Sequence, residues 1–102
     1  MINNQPLFVT SPNKKEKKLL DFIYNHYKTT LEVFFVLFPE DYDKMGVTSG
    51  ATLYNLLLAL KVRGYIDFFK NLEEKETPTF PIFKIQLSNK SLNLFNSGKY
   101  KI

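Results

Sequence analysis

The sequence predicts an α+β fold in which helices accompany a short pair of strands. Between positions 53 and 60, leucines recur at the spacing that places them on one helix face. Residues 80–87 alternate, with Phe83, Ile85 and Leu87 on one side, as in a strand with one buried face. Gly64 and Gly98 follow apolar helical patterns, where glycine commonly ends a helix. These patterns place helices and strands in separate parts of the chain.

One domain accounts for the whole chain. Its 102 residues and 12.0 kDa lie within the ordinary range of a single domain. Hydrophobic residues make up 44% of the chain, and ten Phe and six Tyr provide large apolar areas for one core. Since there is no cysteine, disulfides and thiolate metal sites are excluded. We assign residues 11–102 to the domain and residues 1–10 to an N-terminal arm, whose Leu7-Phe8-Val9 segment fits either a short strand or a docked arm.

The charge of the chain favours an anionic partner. The formal charge is +4 and the pI is about 9.3. Positive charge lies in three separate blocks, residues 1–28, 48–71 and 81–102, which carry +3, +2 and +4.

No secretory signal is evident, and the most apolar stretch, Leu31 to Phe38, is far shorter than the roughly 20 residues that span a bilayer. We therefore expect a cytoplasmic protein that does not enter a membrane.

Ser11 and Pro12 predict the start of the first helix. Serine caps a helix by accepting from a backbone amide, and proline is well tolerated at the first helical position. The helix is expected to run from about Pro12 to Tyr27. Its lysines and Asp21 are expected to point to water. Its apolar stripe consists of Leu19, Leu20, Phe22, Ile23 and Tyr27.

Leu31 to Phe38 is predicted to form a second, short helix, capped by Thr29-Thr30 and ended by Pro39. This helix would be apolar on nearly all sides, which one small core cannot easily cover. Because a subunit interface would cover it, we expect a homodimer, with the N-terminal arm as the other candidate contact. The polar stretch from Glu40 to Gly46 is expected to be a loop.

Thr48 or Ser49 is expected to cap a third helix. Its core face consists of Leu53, Leu57 and Leu60, with Leu56 at its edge. Tyr65–Phe69 and Phe80–Leu87 are predicted strands, which a polar ten-residue loop joins into a hairpin. Ser88 then caps a final short helix.

The order of three helices, strand, long loop, strand and helix resembles the winged helix-turn-helix, with a three-helix core, a β-hairpin wing and a short C-terminal helix. The resemblance is closest from Val47 to Phe69, which is similar to the recognition helix and following strand of PadR-like and MarR-like transcriptional regulators. Thr52-Leu53-Tyr54 is similar to the Thr-Leu-Tyr of that pattern. The other matching positions are Leu57, Leu60, Gly64 and Ile66. The resemblance implies a sequence-specific regulator that places its third helix in the major groove of double-stranded DNA.

Three features differ from that family pattern. The loop from Pro39 to Val47 is longer than the usual turn between the paired helices. Ser91 stands where the pattern tends to have glycine. Only seven residues follow Phe95, so we do not expect a long C-terminal dimerisation helix, and a dimer would have to use another surface.

The candidate DNA-binding residues lie on the third helix and in basic segments around it. Asparagine pairs bidentately with adenine, serine and threonine bond bases or phosphates, and glycine permits close approach to the duplex. At the exposed start of the third helix these residues are Ser49, Gly50, Thr52, Tyr54 and Asn55. The candidate phosphate contacts are Lys61 and Arg63 at the far end of that helix, Lys14 and Lys15 in the first helix, and Lys70 and Lys84 beside the wing.

A different interpretation of the same residues remains open. It takes Ser49 as a cap only, Tyr54 as a packed residue and Asn55 as an ordinary exposed one. The wing tip, Glu73-Glu74-Lys75-Glu76, carries a net charge of −2 and would be repelled by phosphates. The alternative function is therefore a winged-helix protein–protein interaction module, such as an adaptor or inhibitor in a replication, conjugative-transfer or phage-like system, that does not bind DNA.

Catalysis and cofactor binding have little support in the sequence. His26 is the single histidine, and no nucleophile motif lies beside it. Residues 41–46 resemble the opening of a calcium loop, but Met45 occupies a ligand position and Thr52 stands where the bidentate glutamate belongs. There is no glycine-rich phosphate loop. We expect neither an enzyme nor a metal or cofactor site.

Overall fold

The computed structural model describes residues 12–72 and 81–101. Within these ranges, four α-helices and a three-stranded antiparallel sheet form an α+β fold, which confirms the predicted class. In chain order the elements are α1 (Lys14–Thr30), β1 (Phe34–Leu37), a 3₁₀ turn (Pro39–Asp41), α2 (Tyr42–Met45), α3 (Gly50–Val62), β2 (Ile66–Asn71), β3 (Phe83–Leu87) and α4 (Asn89–Asn96).

β2 and β3 pair as the predicted antiparallel strands. The alternation in β3 is confirmed, since Phe83, Ile85 and Leu87 are buried and the residues between them are half-buried. The register shifts once, between Ile66 and Phe68, as at a β-bulge. The wing-tip prediction for residues 73–76 lies outside the described residues, as does the Leu7-Phe8-Val9 prediction.

The prediction of a second helix over Leu31–Phe38 is wrong, because Phe34–Leu37 form strand β1. β1 pairs antiparallel with β3, which gives the strand order β1-β3-β2. A short apolar run does not distinguish a buried helix from a strand by periodicity, and aromatic and β-branched residues favour the strand. Phe35 and Leu37 are buried in the core of the same chain. A subunit interface is therefore not needed to cover these two side chains.

α1 begins and ends later than predicted. It spans Lys14–Thr30 instead of Pro12–Tyr27, and its N-cap is Asn13. Ser11, the predicted cap, lies outside the described residues. The Asn13 side chain accepts from the Glu16 amide at 2.9 Å, and the Glu16 carboxylate accepts from the Asn13 amide at 3.0 Å. Because this capping box satisfies two backbone amides at once, the helix starts after Asn13.

The segment Glu40–Gly46, predicted to be a loop, contains the 3₁₀ turn and α2. Tyr42 and Met45 are buried, and Gly46 ends α2 in the left-handed region at a φ of 76°. Burial raises the pKa of Tyr42 to about 12. The protonated hydroxyl donates to the carbonyl of Pro81 at 2.7 Å. The prediction of a loop is therefore wrong for Tyr42–Met45, which form a short helix.

The predicted caps of α3 and α4 are confirmed. Ser49 and Ser88 each accept, through the side-chain oxygen, from a backbone amide in the first turn at 3.2 Å. Ser91, where the family pattern tends to have glycine, is fully buried. Its hydroxyl donates to the carbonyl of Tyr65 at 2.6 Å, a bond that glycine could not make. The serine thus joins α4 to the residue before β2.

One hydrophobic core lies between the helices and the inner face of the sheet. The three leucines predicted for the core face of α3 are buried, and so is Leu56, which was predicted at its edge. The largest fully buried side chains are Phe83, Phe95, Leu19, Leu20, Ile23, Leu37, Met45, Leu53, Leu57, Leu60, Ile66 and Ile85. Among residues 12–72 and 81–101, no helix has the length and apolar character to cross a membrane.

Replacing Leu31 with glycine is expected to raise the free energy of unfolding by about 0.5–1 kcal/mol. Among the described residues, Leu31 is the one non-glycine residue with positive φ, 61°, and it is 67% exposed. The left-handed conformation costs a non-glycine residue roughly 1–2 kcal/mol. This cost exceeds the roughly 0.5–1 kcal/mol of extra chain entropy that glycine loses on folding.

Urea unfolding followed by circular dichroism measures this gain. Leu31→Ala is the matched control, because it removes most of the side chain but keeps the Cβ that makes positive φ unfavourable, and it should give no gain. A lower free energy of unfolding for Leu31→Gly than for the unsubstituted protein would contradict the prediction.

Candidate functional site

Three of the candidate DNA-binding residues, Ser49, Gly50 and Thr52, form the start of α3. The Ser49 hydroxyl oxygen accepts from the Thr52 amide and lies 3.1 Å from the Thr52 hydroxyl. Gly50 is buried, and Thr52 is half-buried. The contacts of Ser49 and Thr52 are those of a helix cap, so these side chains are less available to a partner than the sequence suggested.

Tyr54 and Asn55 face solvent in the first half of α3. The Tyr54 ring packs edge-on against Phe69 of β2, with 5.4 Å between ring centroids, so one side of the ring is fixed. Asn55 is exposed, and so is Ala51, which lies one turn earlier on the same helix face. Ala51, Tyr54 and Asn55 form what we call the polar end of α3.

The second half of α3 has an apolar solvent face that sequence reasoning missed. Leu58 is 41% exposed and Val62 is 73% exposed, and their spacing places them on one side of the helix. With Asn55, Ala59 and Arg63 they line a shallow depression of about 370 Å³. The helical spacing does place both residues away from the buried leucine stripe. The run of three consecutive leucines at positions 56–58 obscured this signal.

Arg63 joins the end of α3 to the start of α1. Its Nε donates to Glu16 Oε1 at 2.7 Å, and the two side chains are 20% and 7% exposed. This ion pair turns Arg63 toward the protein instead of toward a partner. Lys61, Lys14 and Lys15 are all exposed. Since Lys14 and Lys15 directly precede Glu16, the three lysines lie at the same end of α3.

Lys70 and Lys84 lie on the sheet, away from the exposed face of α3. They are directly opposite each other in the β2–β3 register. Phe69, the neighbour of Lys70, points to the opposite side of the sheet, where it contacts Tyr54. The structure therefore does not bring these two lysines together with the other candidate residues.

Carboxylates precede α3 in the chain. Glu40 and Asp43, in the 3₁₀ turn and α2, are exposed. The Asp41 carboxylate accepts from the Phe38 amide at 3.4 Å. Exposed carboxylates repel phosphates. An anionic partner of α3 would therefore lie near α1 and the end of α3 that carries Lys61, and away from α2.

His26 has structural contacts. Its Nε2 lies 3.1 Å from Glu32 Oε1, and its ring stacks on Phe35 with 4.0 Å between centroids. It also lines an open depression of about 730 Å³, whose wall includes both Lys18 and Asp21. In the described part of the chain, no group of three or more His, Cys, Asp or Glu residues is arranged to hold a metal ion.

Comparison with known proteins identifies no relative of this chain. No protein-family model matches the sequence. No curated protein gives a significant match. No solved structure gives a significant match either. The function is therefore inferred from the residues of this chain.

Proposed function

We propose that the protein is a winged helix-turn-helix protein, similar to PadR-like and MarR-like regulators, that binds double-stranded DNA as a transcriptional regulator. In this proposal α2 and α3 are the paired helices, and β2 and β3 form the wing. The observed order of helices and strands is compatible with that fold. The observation that carries the function is the exposed polar end of α3, with Ala51 and Asn55 on one helix face.

The side chains at the polar end of α3 fit the edges of neighbouring bases. An asparagine amide both donates to and accepts from adenine in the major groove, and an alanine methyl packs against the methyl group of thymine. Lys61, Lys14 and Lys15 supply positive charge for phosphates at the other end of α3. The exposed carboxylates of Glu40 and Asp43 keep the phosphates away from α2. Together these charges orient the duplex along α3.

Asn55→Ala is expected to weaken binding to the specific duplex by roughly 5- to 150-fold, since a bidentate base contact contributes about 1–3 kcal/mol of discrimination. Binding to random duplex should change little, because phosphate contacts dominate it. The measurement is fluorescence anisotropy with labelled duplexes that cover the region upstream of the gene, with random duplex as competitor and salt varied.

Asn93→Ala is the matched control for this substitution. Asn93 is an exposed asparagine on α4, and its replacement removes the same chemical group from another surface. We expect it to bind the specific duplex as the unsubstituted protein does. Equal losses in the two variants, or the absence of any sequence-selective duplex, would argue against base reading by α3.

A second candidate function is protein binding through the apolar half of α3. Leu58 and Val62 favour it, because exposed aliphatic side chains on one helix face are typical of an interaction surface. In this case the partner is a protein and the chain acts as an adaptor or inhibitor. No duplex binding at low salt and micromolar protein would support this function over the first.

A further inference from the structure

The outer face of the sheet combines exposed aromatic rings with lysines. The strand register places Phe34 and Phe68 on either side of Gln86, and Val36 and Lys70 on either side of Lys84. Because side chains alternate across a strand, these six residues point away from the buried Phe83, Ile85 and Leu87. We call these six residues, Phe34, Val36, Phe68, Lys70, Lys84 and Gln86, the outer face.

The two phenylalanines of the outer face are exposed in one row across the sheet. Phe34 is 53% exposed and Phe68 is 40% exposed. Two strand spacings separate them, which is about 10 Å. Nucleic-acid-binding modules use aromatic rings on an open sheet face to stack bases that are splayed out of a single strand. The spacing leaves room for each ring to stack a separate base.

The two lysines of the outer face repel each other, and a bound anion would offset this repulsion. Lys70 and Lys84 are directly opposite each other in the register, and like charges at that position destabilise a sheet. None of the six outer-face residues is acidic. Lys84 Nζ lies over the Phe34 ring, 5.5 Å from its centre, in a cation–π contact that a base stacked on that side of the ring would replace. A phosphate between the lysines would remove their repulsion.

We propose that the outer face binds single-stranded nucleic acid, with bases stacked on Phe34 and Phe68 and phosphates beside Lys70 and Lys84. Duplex bases are already stacked on each other, so a flat sheet face cannot reach their rings. A lipid surface would bury the phenylalanines without stacking on them, and the measurements below distinguish it from a nucleic acid. The proposal does not depend on DNA binding by α3, because Phe69 and Tyr54 lie on the other side of the sheet.

Stacking can be measured directly because the chain has no tryptophan. Phe34→Trp and Phe68→Trp each place a single indole on the outer face. Titration with an oligothymidylate of about 15 nucleotides should quench the emission of both variants in a saturable way. Val62→Trp is the matched control, since it places an exposed indole on α3. Its emission should not change.

Affinity is tested by anisotropy with the same labelled oligonucleotide. The double variant Phe34→Ala/Phe68→Ala should bind at least about tenfold more weakly, since stacking contributes strongly for each base. Leu58→Ala/Val62→Ala removes two exposed apolar side chains from α3 and should bind normally. Lys70→Gln/Lys84→Gln should reduce the slope of log K against log salt by about 1.4, because each phosphate that a lysine neutralises adds about 0.7 to it.

Several results would overturn the proposal. One is the absence of oligonucleotide quenching at low salt, and another is unchanged affinity of the double alanine variant with an intact circular dichroism spectrum. Quenching by phosphatidylserine vesicles alone would assign the face to membranes. If the double alanine variant sedimented as a smaller species than the unsubstituted protein, and neither bound the oligonucleotide, the face would be assigned to a second copy of the chain. Asn55→Ala should leave oligothymidylate binding unchanged, which separates this test from that of the duplex proposal.

Discussion

Phe95→Ala is expected to lower the free energy of unfolding by about 3–5 kcal/mol, as is typical when a fully buried phenylalanine is truncated. Phe95 is fully buried in α4. Its ring lies 5.0 Å from that of Tyr24, 5.9 Å from that of Tyr27 and 5.3 Å from that of Tyr100, measured between centroids. Alanine would leave a cavity among three aromatic rings that the helices around them cannot close. Urea unfolding measures the loss.

Two further variants test the prediction for Phe95. Phe95→Leu retains most of the apolar volume and should cost less than about 1.5 kcal/mol, which gives a graded value if the alanine variant does not fold. Phe34→Ala makes the same truncation at an exposed ring on the sheet and should cost less than about 1 kcal/mol. If Phe95→Ala cost as little as Phe34→Ala, α4 would not be docked as described.

The aromatic cluster also fixes the residues after α4. The Tyr100 hydroxyl donates to the Asp21 carboxylate of α1. Burial raises the pKa of Tyr100 well above its usual value, and the hydrogen bond to Asp21 raises it further. Lys17 donates both to Asp21, at 2.7 Å, and to the carbonyl of Lys101, at 2.8 Å. Asp21, expected to point to water, therefore connects α1 to the end of the chain.

Local signals in the sequence predicted much of the fold. The caps at Ser49 and Ser88 depend on groups within three residues, and the alternation of β3 depends on a single strand. β1 was missed because its conformation depends on pairing with β3, which lies some fifty residues further along the chain. Periodicity alone does not distinguish a short apolar strand from a short apolar helix, although the aromatic and β-branched residues of Phe34–Leu37 are a local signal for a strand.

The candidate site was predicted less well than the fold. The exposure of Asn55 follows from the position of the buried leucines, and this was predicted. The ion pair between Arg63 and Glu16 joins residues 47 positions apart, so spacing alone could not identify it. The grouping of Lys70 and Lys84 with Phe34 required the order of the strands, which places β3 between β1 and β2. Contacts between side chains that are far apart in the sequence are thus the part of a site that local sequence patterns do not predict.

The fixed position of α1 beside α3 leads to a second large expected effect. Glu16→Ala should lower the free energy of unfolding by about 2–4 kcal/mol. The carboxylate accepts both from the Asn13 amide at the start of α1 and from Arg63 at the end of α3. Alanine removes the helix-cap acceptor and leaves a largely buried guanidinium without this carboxylate. Urea unfolding at neutral pH measures the loss.

Glu16→Gln separates the two roles of the Glu16 side chain. Glutamine keeps one acceptor oxygen for the capping box, so this variant loses the charge that pairs with Arg63 and the second oxygen, which accepts from Asn13 Nδ2 at 3.2 Å. We expect it to cost about half as much as alanine, and this cost should persist at high salt, because screening is weak for a pair that is largely buried. Glu32→Gln is the matched control, since it neutralises an exposed carboxylate beside His26 and should change stability by less than about 0.5 kcal/mol. If Glu16→Gln cost no more than Glu32→Gln, the ion pair would not hold α1 against α3, and Arg63 would again be a candidate for contact with phosphates.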